Sequence, residues 1–177
     1  MKQRTAVIFD MDGCLVDTEP VINRAAILGL KEWGIDAQPD DFTPFIGAGE
    51  TAYIGGVAEK YGLAYEPKMK SRVYDIYLDI VEVMLKPMPG AIECLTKLEA
   101  EGYKLALASS ADHLKIDANL RVAGIKRDFF DVILGAEDVV HKKPAPDIYL
   151  KAAKNLGVEP SACFVVEDAL NGIKAAN

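Results

Sequence analysis

Apolar positions along the chain fall into two kinds of pattern that take turns. Four short unbroken runs stand out: Ala6-Val7-Ile8-Phe9, Leu105-Ala106-Leu107-Ala108, Val132-Ile133-Leu134 and Cys163-Phe164-Val165-Val166. Runs of this length, bounded by glycine or charged residues, predict strands buried on both faces, as in a parallel sheet. Between them, apolar residues recur at helical spacing. Pro20, favourable in a first helical turn, opens a stretch carrying Ile22, Ala25, Ala26, Gly29 and Trp33 that stops at Gly34. Further helices are expected over Thr51–Tyr61 and Lys68–Leu85, the latter with a stripe of Val73, Ile76, Tyr77, Ile80 and Met84. After the break at Pro87-Met88-Pro89-Gly90, a helix carrying Ala91, Cys94, Leu95 and Leu98 ends at Gly102. Another runs to about Ala123, and a third runs from Pro146 to Leu156.

Strand and helix units in this order predict an α/β fold, a Rossmann-like parallel-sheet core with an inserted all-helical cap. The core is expected from residues 1–16 and 86–177, and the helical cap from residues 17–85. In such sheets ligands sit beyond the carboxyl ends of the strands. The cap, inserted just after the first strand, is expected to lie over that crevice as a lid.

With 177 residues, half of them hydrophobic, the chain can build one good core with a small appended domain. Its net charge of -7 argues against nucleic acid as the partner. No run approaches the roughly 20 apolar residues of a membrane span. The opening Met1-Lys2-Gln3-Arg4-Thr5 has no apolar signal region, and Cys14, Cys94 and Cys163 form no CxxC pair. These features point to a cytoplasmic protein, read as a monomer, whose partner is a small molecule.

The strand ends carry the chemistry. Asp10 and Asp12 follow the first strand, Ser109 the second and Glu167-Asp168 the fourth, while Lys143 lies in the loop after the third. Alternation sends Asp10 and Asp12 toward one side, where two carboxylates require either a shared proton or a cation. Magnesium suits this donor set, being held by one or two carboxylates plus a substrate phosphate. Asp10 and Asp168 are the first candidate ligands, with Glu167 contributing directly or through water. Lys143 can supply a point charge to a phosphate. Ser109, with the amides of Ser110 and Ala111, can donate hydrogen bonds to the same oxygens. A carboxylate attacking phosphorus splits one displacement into two steps, and a second carboxyl can pass protons to and from the oxygens involved.

Phe9-Asp10-Met11-Asp12-Gly13 with Thr18, Ser109 after a strand, Lys143-Pro144-Ala145-Pro146-Asp147, and Glu167-Asp168-Ala169 with Gly172 together resemble the four-motif set of the haloacid dehalogenase superfamily. The helical insert is similar to the cap of its phosphatase and beta-phosphoglucomutase-like branch. The resemblance implies Asp10 as nucleophile and Asp12 as general acid and base, with the Asp12 backbone carbonyl also on the metal. By the same resemblance Ser109 and Lys143 hold the phosphoryl group, Asp168 and Glu167 complete a magnesium site, and Thr18 lies at a cap hinge. Gly49 and Glu50 in a cap loop are candidate substrate contacts.

Asp12 and the Glu167-Asp168 pair favour phosphoryl chemistry over metal-free dehalogenation. Mutases of the branch carry a histidine just past the hinge and basic cap-loop residues, where this chain has Val21, Ile22 and Gly47-Ala48-Gly49-Glu50. The expectation is therefore a magnesium-dependent phosphatase of a small phosphorylated metabolite, with a sugar phosphomutase as the alternative and a silent phospho-ligand binding domain as the third. Because Asn177 falls about two turns into the last helix, the sheet is also expected to end on an open strand edge, as in a carboxy-terminally incomplete core.

Overall fold

The computed structural model describes residues 5–177; Met1, Lys2, Gln3 and Arg4 of the amino-terminal segment read above lie outside the described residues. The chain divides into two compact units. One comprises the chain up to Asp17 together with Lys86–Asn177, and the other is Thr18–Leu85.

The first unit is built on a four-stranded sheet in the order β5-β4-β1-β6. Its strands are β1 (Ala6–Phe9), β4 (Lys104–Ala108), β5 (Val132–Leu134) and β6 (Cys163–Val166), and every pairing is parallel. The chain starts in β1, steps outward through β4 and β5, then returns to β6 on the other side of β1. That reversal creates a switch point beside the carboxyl end of β1, where ligands bind in open α/β sheets. Register fixes what gathers there. Phe9 pairs with both Leu107 and Val166, and Ala108 with Leu134, so Asp10, Ser109 and Glu167 all emerge at one end.

The connecting helices are α4 (Ala91–Ala100), α5 (His113–Val122), α6 (Asp147–Leu156) and α7 (Leu170–Ala176). One face of the sheet, through Ala6, Ile8, Ala106, Ala108 and Leu134, packs on Ile148, Tyr149, Ala152, Ala153 and Leu156 of α6. The opposite face presents Val7, Phe9, Leu105 and Leu107, all buried, as the two-residue alternation requires. Small alanines on one side of the sheet and larger residues on the other let α6 approach closely. Strand β6 stands at the sheet edge with Phe164 and Val166 44% and 38% exposed, as expected of an open edge.

A separate two-stranded ribbon joins β2 (Val16–Asp17) to β3 (Lys86–Pro87) in antiparallel register, Val16 opposite Pro87 and Asp17 opposite Lys86. The ribbon clamps together the two points where the chain leaves the first unit and comes back to it.

The second unit is helical throughout its regular structure: α1 (Glu19–Lys31), α2 (Glu50–Lys60) and α3 (Pro67–Met84), with a 3-10 turn over Pro39–Phe45. Helix α1 buries Val21, Ile22, Ala25, Ala26, Gly29 and Leu30 against α3. The helices meet tightly at Gly29, where a Cβ would stand 2.7 Å from Val73 Cγ2. On α3 the buried face is Met69, Val73, Tyr74, Ile76, Tyr77 and Val81. Ile80 and Met84, expected within the stripe, sit at its margin. The buried line follows four-residue steps through Val73, Tyr77 and Val81 and carries the neighbouring positions outward. The 3-10 turn was not foreshadowed by periodicity. It is held by polar groups: Asp41 accepts from the Gln38 amide at 2.8 Å and the Tyr61 hydroxyl at 2.7 Å, and pairs with Lys60. Among the described residues no helix is long and apolar enough to cross a membrane.

Candidate active site

After β1 the chain makes a tight turn. The amides of Leu15 and Val16 both donate to the Met11 carbonyl, and that of Gly13 donates to the Val16 carbonyl. Gly13 has φ +77°, a left-handed conformation that side chains resist, and a Cβ there would lie 2.1 Å from Asp168 Oδ2. The glycine thus lets the turn close onto the acid that follows β6. A second close approach occurs at Gly172, where a Cβ would fall 1.9 Å from the Glu167 carboxylate.

Inside the turn, Asp10 is buried, and its Oδ1 accepts from Lys143 Nζ at 2.6 Å. The same ammonium reaches Glu167 Oε2 at 2.7 Å and lies 4.9 Å from the Tyr149 ring centroid. The Tyr149 hydroxyl also donates to Glu167 Oε2. Glu167 Oε1 accepts from the Ala169 amide at 3.2 Å. The side chains of Lys143, Asp10 and Glu167 are 5%, 8% and 4% exposed, so this is a dry ion triad rather than a surface pair. Burial pushes the Asp10 carboxyl well above the usual aspartate range, opposed by the Lys143 charge and reinforced by Glu167 and Asp12. Burial pulls the Lys143 ammonium down, but the charges of Asp10 and Glu167 outweigh it and hold the group above an ordinary lysine.

Ligand atoms of Asp10, Cys14 and Asp168 all lie within 4.8 Å of one another, a spacing that can hold a cation. Burial and the surrounding carboxylates push the Cys14 thiol up to about 12, so its proton stays on at neutral pH. Two carboxylates therefore dominate the donor set, and oxygen donors suit a hard divalent ion. Burial raises Asp168 as well, with Glu167 and Asp12 adding to it and Lys143 opposing.

Glu167, expected on the metal directly or through water, has Oε2 on Lys143 and Tyr149 and Oε1 on the Ala169 amide, so in this structure it braces the lysine. The Asp12 carboxylate, expected beside Asp10, also lies 3.0 Å from Lys115 Nζ. Each of the two aspartates has its own lysine. Of these groups only Lys143 is expected from the sequence; Tyr149 and Lys115 carry no signal there.

Ser109 follows β4 and is fully buried; its Oγ accepts from the Ala111 amide at 3.0 Å. That amide, expected to face phosphate, is thereby taken up within the loop. Ser110 is half-buried in the loop that precedes α5. Thr18, Gly49 and Glu50 belong to the second unit. Thr18 is the buried residue preceding α1, Gly49 takes φ +85° before α2, and Glu50 opens that helix with 8% exposure.

A sequence model of haloacid dehalogenase-like hydrolases matches residues 5–177. The chain is 46% identical over 179 residues to the Arabidopsis thaliana chloroplastic protein SUPPRESSOR OF QUENCHING 1, covering 97% of this chain but only 17% of that protein. It is 32% identical to a phosphorylated carbohydrates phosphatase of Thermotoga maritima, covering 97% of this chain and 79% of the relative. The crystal structure of CbbY from Rhodobacter sphaeroides in complex with phosphate superposes with a TM-score of 0.87 at 27% identity, covering 98% of this chain and 82% of that one. A parallel sheet with a helical insert, a buried aspartate at the switch point and a match along almost the whole described chain lead to one assignment: the chain belongs to the haloacid dehalogenase-like hydrolases.

Proposed function

We propose that the protein is a magnesium-dependent phosphatase of a small phosphorylated metabolite, a sugar phosphate or a compound like it, working through an aspartyl-phosphate on Asp10. The observation that carries this reading is the placement of Lys143 between Asp10 and Glu167, beside Asp168, at the switch point of the sheet. A buried carboxylate whose ionised form a neighbouring lysine favours against burial is a nucleophile kept out of water. The Thermotoga relative's name and the phosphate in the CbbY crystal support a phosphorylated ligand.

Asp10 and Asp168 would hold the magnesium ion, which when bound supplies positive charge to the phosphate oxygens and the Asp10 carboxylate. An oxygen of Asp10 attacks phosphorus as the bond to the leaving oxygen breaks, and Asp12 gives its proton to that oxygen. Water then attacks the same phosphorus. Its proton passes to Asp12, the bond to Asp10 breaks, and phosphate leaves with both carboxyl groups restored. Lys143 spreads the developing charge, Glu167 and Tyr149 keep its ammonium aimed, and Ser109 lines the phosphate loop. The unit Thr18–Leu85 acts as the cap that admits substrate, with Thr18 at the hinge and Gly49 and Glu50 in the selecting loop.

The test is release of inorganic phosphate from para-nitrophenyl phosphate and a panel of hexose 1-phosphates and 6-phosphates, with and without magnesium. Activity that requires the metal and falls to background in Asp10→Asn is expected. Wild-type protein inert on every ester, or an Asp10→Asn protein as active as wild type, would overturn the reading.

A further inference from the structure

Helix α5 carries an inversion of the usual inside-out pattern. Leu114 is 55% exposed, whereas Lys115 and Asn119, one helical turn apart, are 3% and 0% exposed. Both polar side chains reach the turn after β1 and meet consecutive residues. Lys115 Nζ is 3.0 Å from Asp12 Oδ1, and Asn119 Nδ2 donates to Met11 Sδ at 3.7 Å. A lysine is very rarely this buried unless its charge is answered. The desolvation that burial imposes has to be matched by a specific, well-placed partner, and Asp12 is that partner.

We infer that Lys115 is a positioning residue of the reaction, fixing the Asp12 carboxylate by one oxygen so that the other faces the leaving group. The inference deepens the phosphatase reading and rests on it. The Lys115 ammonium is engaged by Asp12 Oδ1, and the Asp12 side chain is the more open of the two at 31% exposure against 4%, so the lysine acts through the carboxylate. Asp12 sits on a turn, where its side chain could otherwise swing, and proton transfer in line with attack needs it within hydrogen-bond reach of the departing oxygen. A helix running behind the turn supplies a restraint on that carboxylate through Lys115.

The experiment compares wild type, Lys115→Met and Lys115→Gln on phenyl phosphate and para-nitrophenyl phosphate in magnesium buffer. Phenoxide leaves slowly without a proton, whereas nitrophenoxide needs little help. In Lys115→Met, kcat/KM, which reports the first phosphoryl transfer, is expected to fall about tenfold or more on phenyl phosphate and about twofold on the nitro ester. Inhibition by inorganic phosphate should be unchanged. Lys115→Gln, keeping a donor of similar reach, should show the same ordering with a smaller gap, and it carries the comparison if Lys115→Met does not fold. Equal losses on the two esters, or a weakened phosphate inhibition matching the loss in kcat/KM, would overturn the role of Lys115 alone. A wild-type enzyme that cleaves neither ester would overturn the phosphatase reading, and this role with it.

Discussion

Replacing Gly13 by alanine tests how closely the two ends of the site depend on each other. The added Cβ would stand 2.1 Å from Asp168 Oδ2 and 2.6 Å from its Cγ, against an ordinary contact distance of 3.4 Å or more. The Asp168 carboxylate must therefore retreat by about 1 Å or more, because the other side of the contact is backbone. Misplacement on that scale costs about a hundredfold in rate when the displaced group orients the reacting atoms. The left-handed conformation at φ +77° adds a backbone cost of about 1–2 kcal/mol for any residue with a Cβ. For a chain of this length that lowers the melting temperature by about 2–8 °C. The assay is kcat/KM for phosphate release across a magnesium titration, with a thermal melt on the same sample. The expected result is a small loss of stability, a loss of activity of about a hundredfold and a higher magnesium requirement. A variant with wild-type activity and magnesium dependence, at any melting temperature, would refute the claim that Asp168 works from the position the Gly13 turn allows.

Tyr149→Phe removes a donor from the buried Glu167 carboxylate. It should lower stability in urea unfolding by about 1.5–3 kcal/mol, since the lost hydrogen bond is to a charged group; no change would mean that Lys143 and the Ala169 amide satisfy Glu167 without it. Cys14, whose thiol is pushed up to about 12 by burial and the surrounding carboxylates, should stay protonated at pH 8. Iodoacetamide at that pH should label exposed Cys94 and spare Cys14 by peptide mass spectrometry, and equal labelling would contradict the account of the acid cluster.

The fold was legible because its strands are short, fully apolar and closed by polar residues, a signature that survives without tertiary information. The rule that ligands gather at strand carboxyl ends then placed Asp10, Lys143 and Asp168 together, and their distances agree. What escaped was supplied by helix interiors. Lys115 lies beside Ile116 on α5, and a lysine in an amphipathic helix reads as solvated until the neighbouring turn is known to bring Asp12 to it. Tyr149 on α6 counts equally well as core, since its ring is core while its hydroxyl is not. The contacts of Glu167 were equally hidden: successive side chains at a strand end diverge, so Asp168 turns to Gly13 while Glu167 turns to Lys143. The 3-10 turn at Pro39–Phe45 depends on Asp41 meeting Lys60 and Tyr61, contacts about twenty residues distant that no local pattern announces.

The central claim is that Asp10 itself captures phosphorus. Beryllofluoride binds a carboxylate as a mimic of its acyl phosphate, so fluorine NMR of the protein with magnesium and beryllofluoride reads that capacity without a known substrate. Bound resonances in wild type that vanish in Asp10→Asn, with Asp12→Asn still binding, are the expected result. Bound resonances that persist in Asp10→Asn would contradict it.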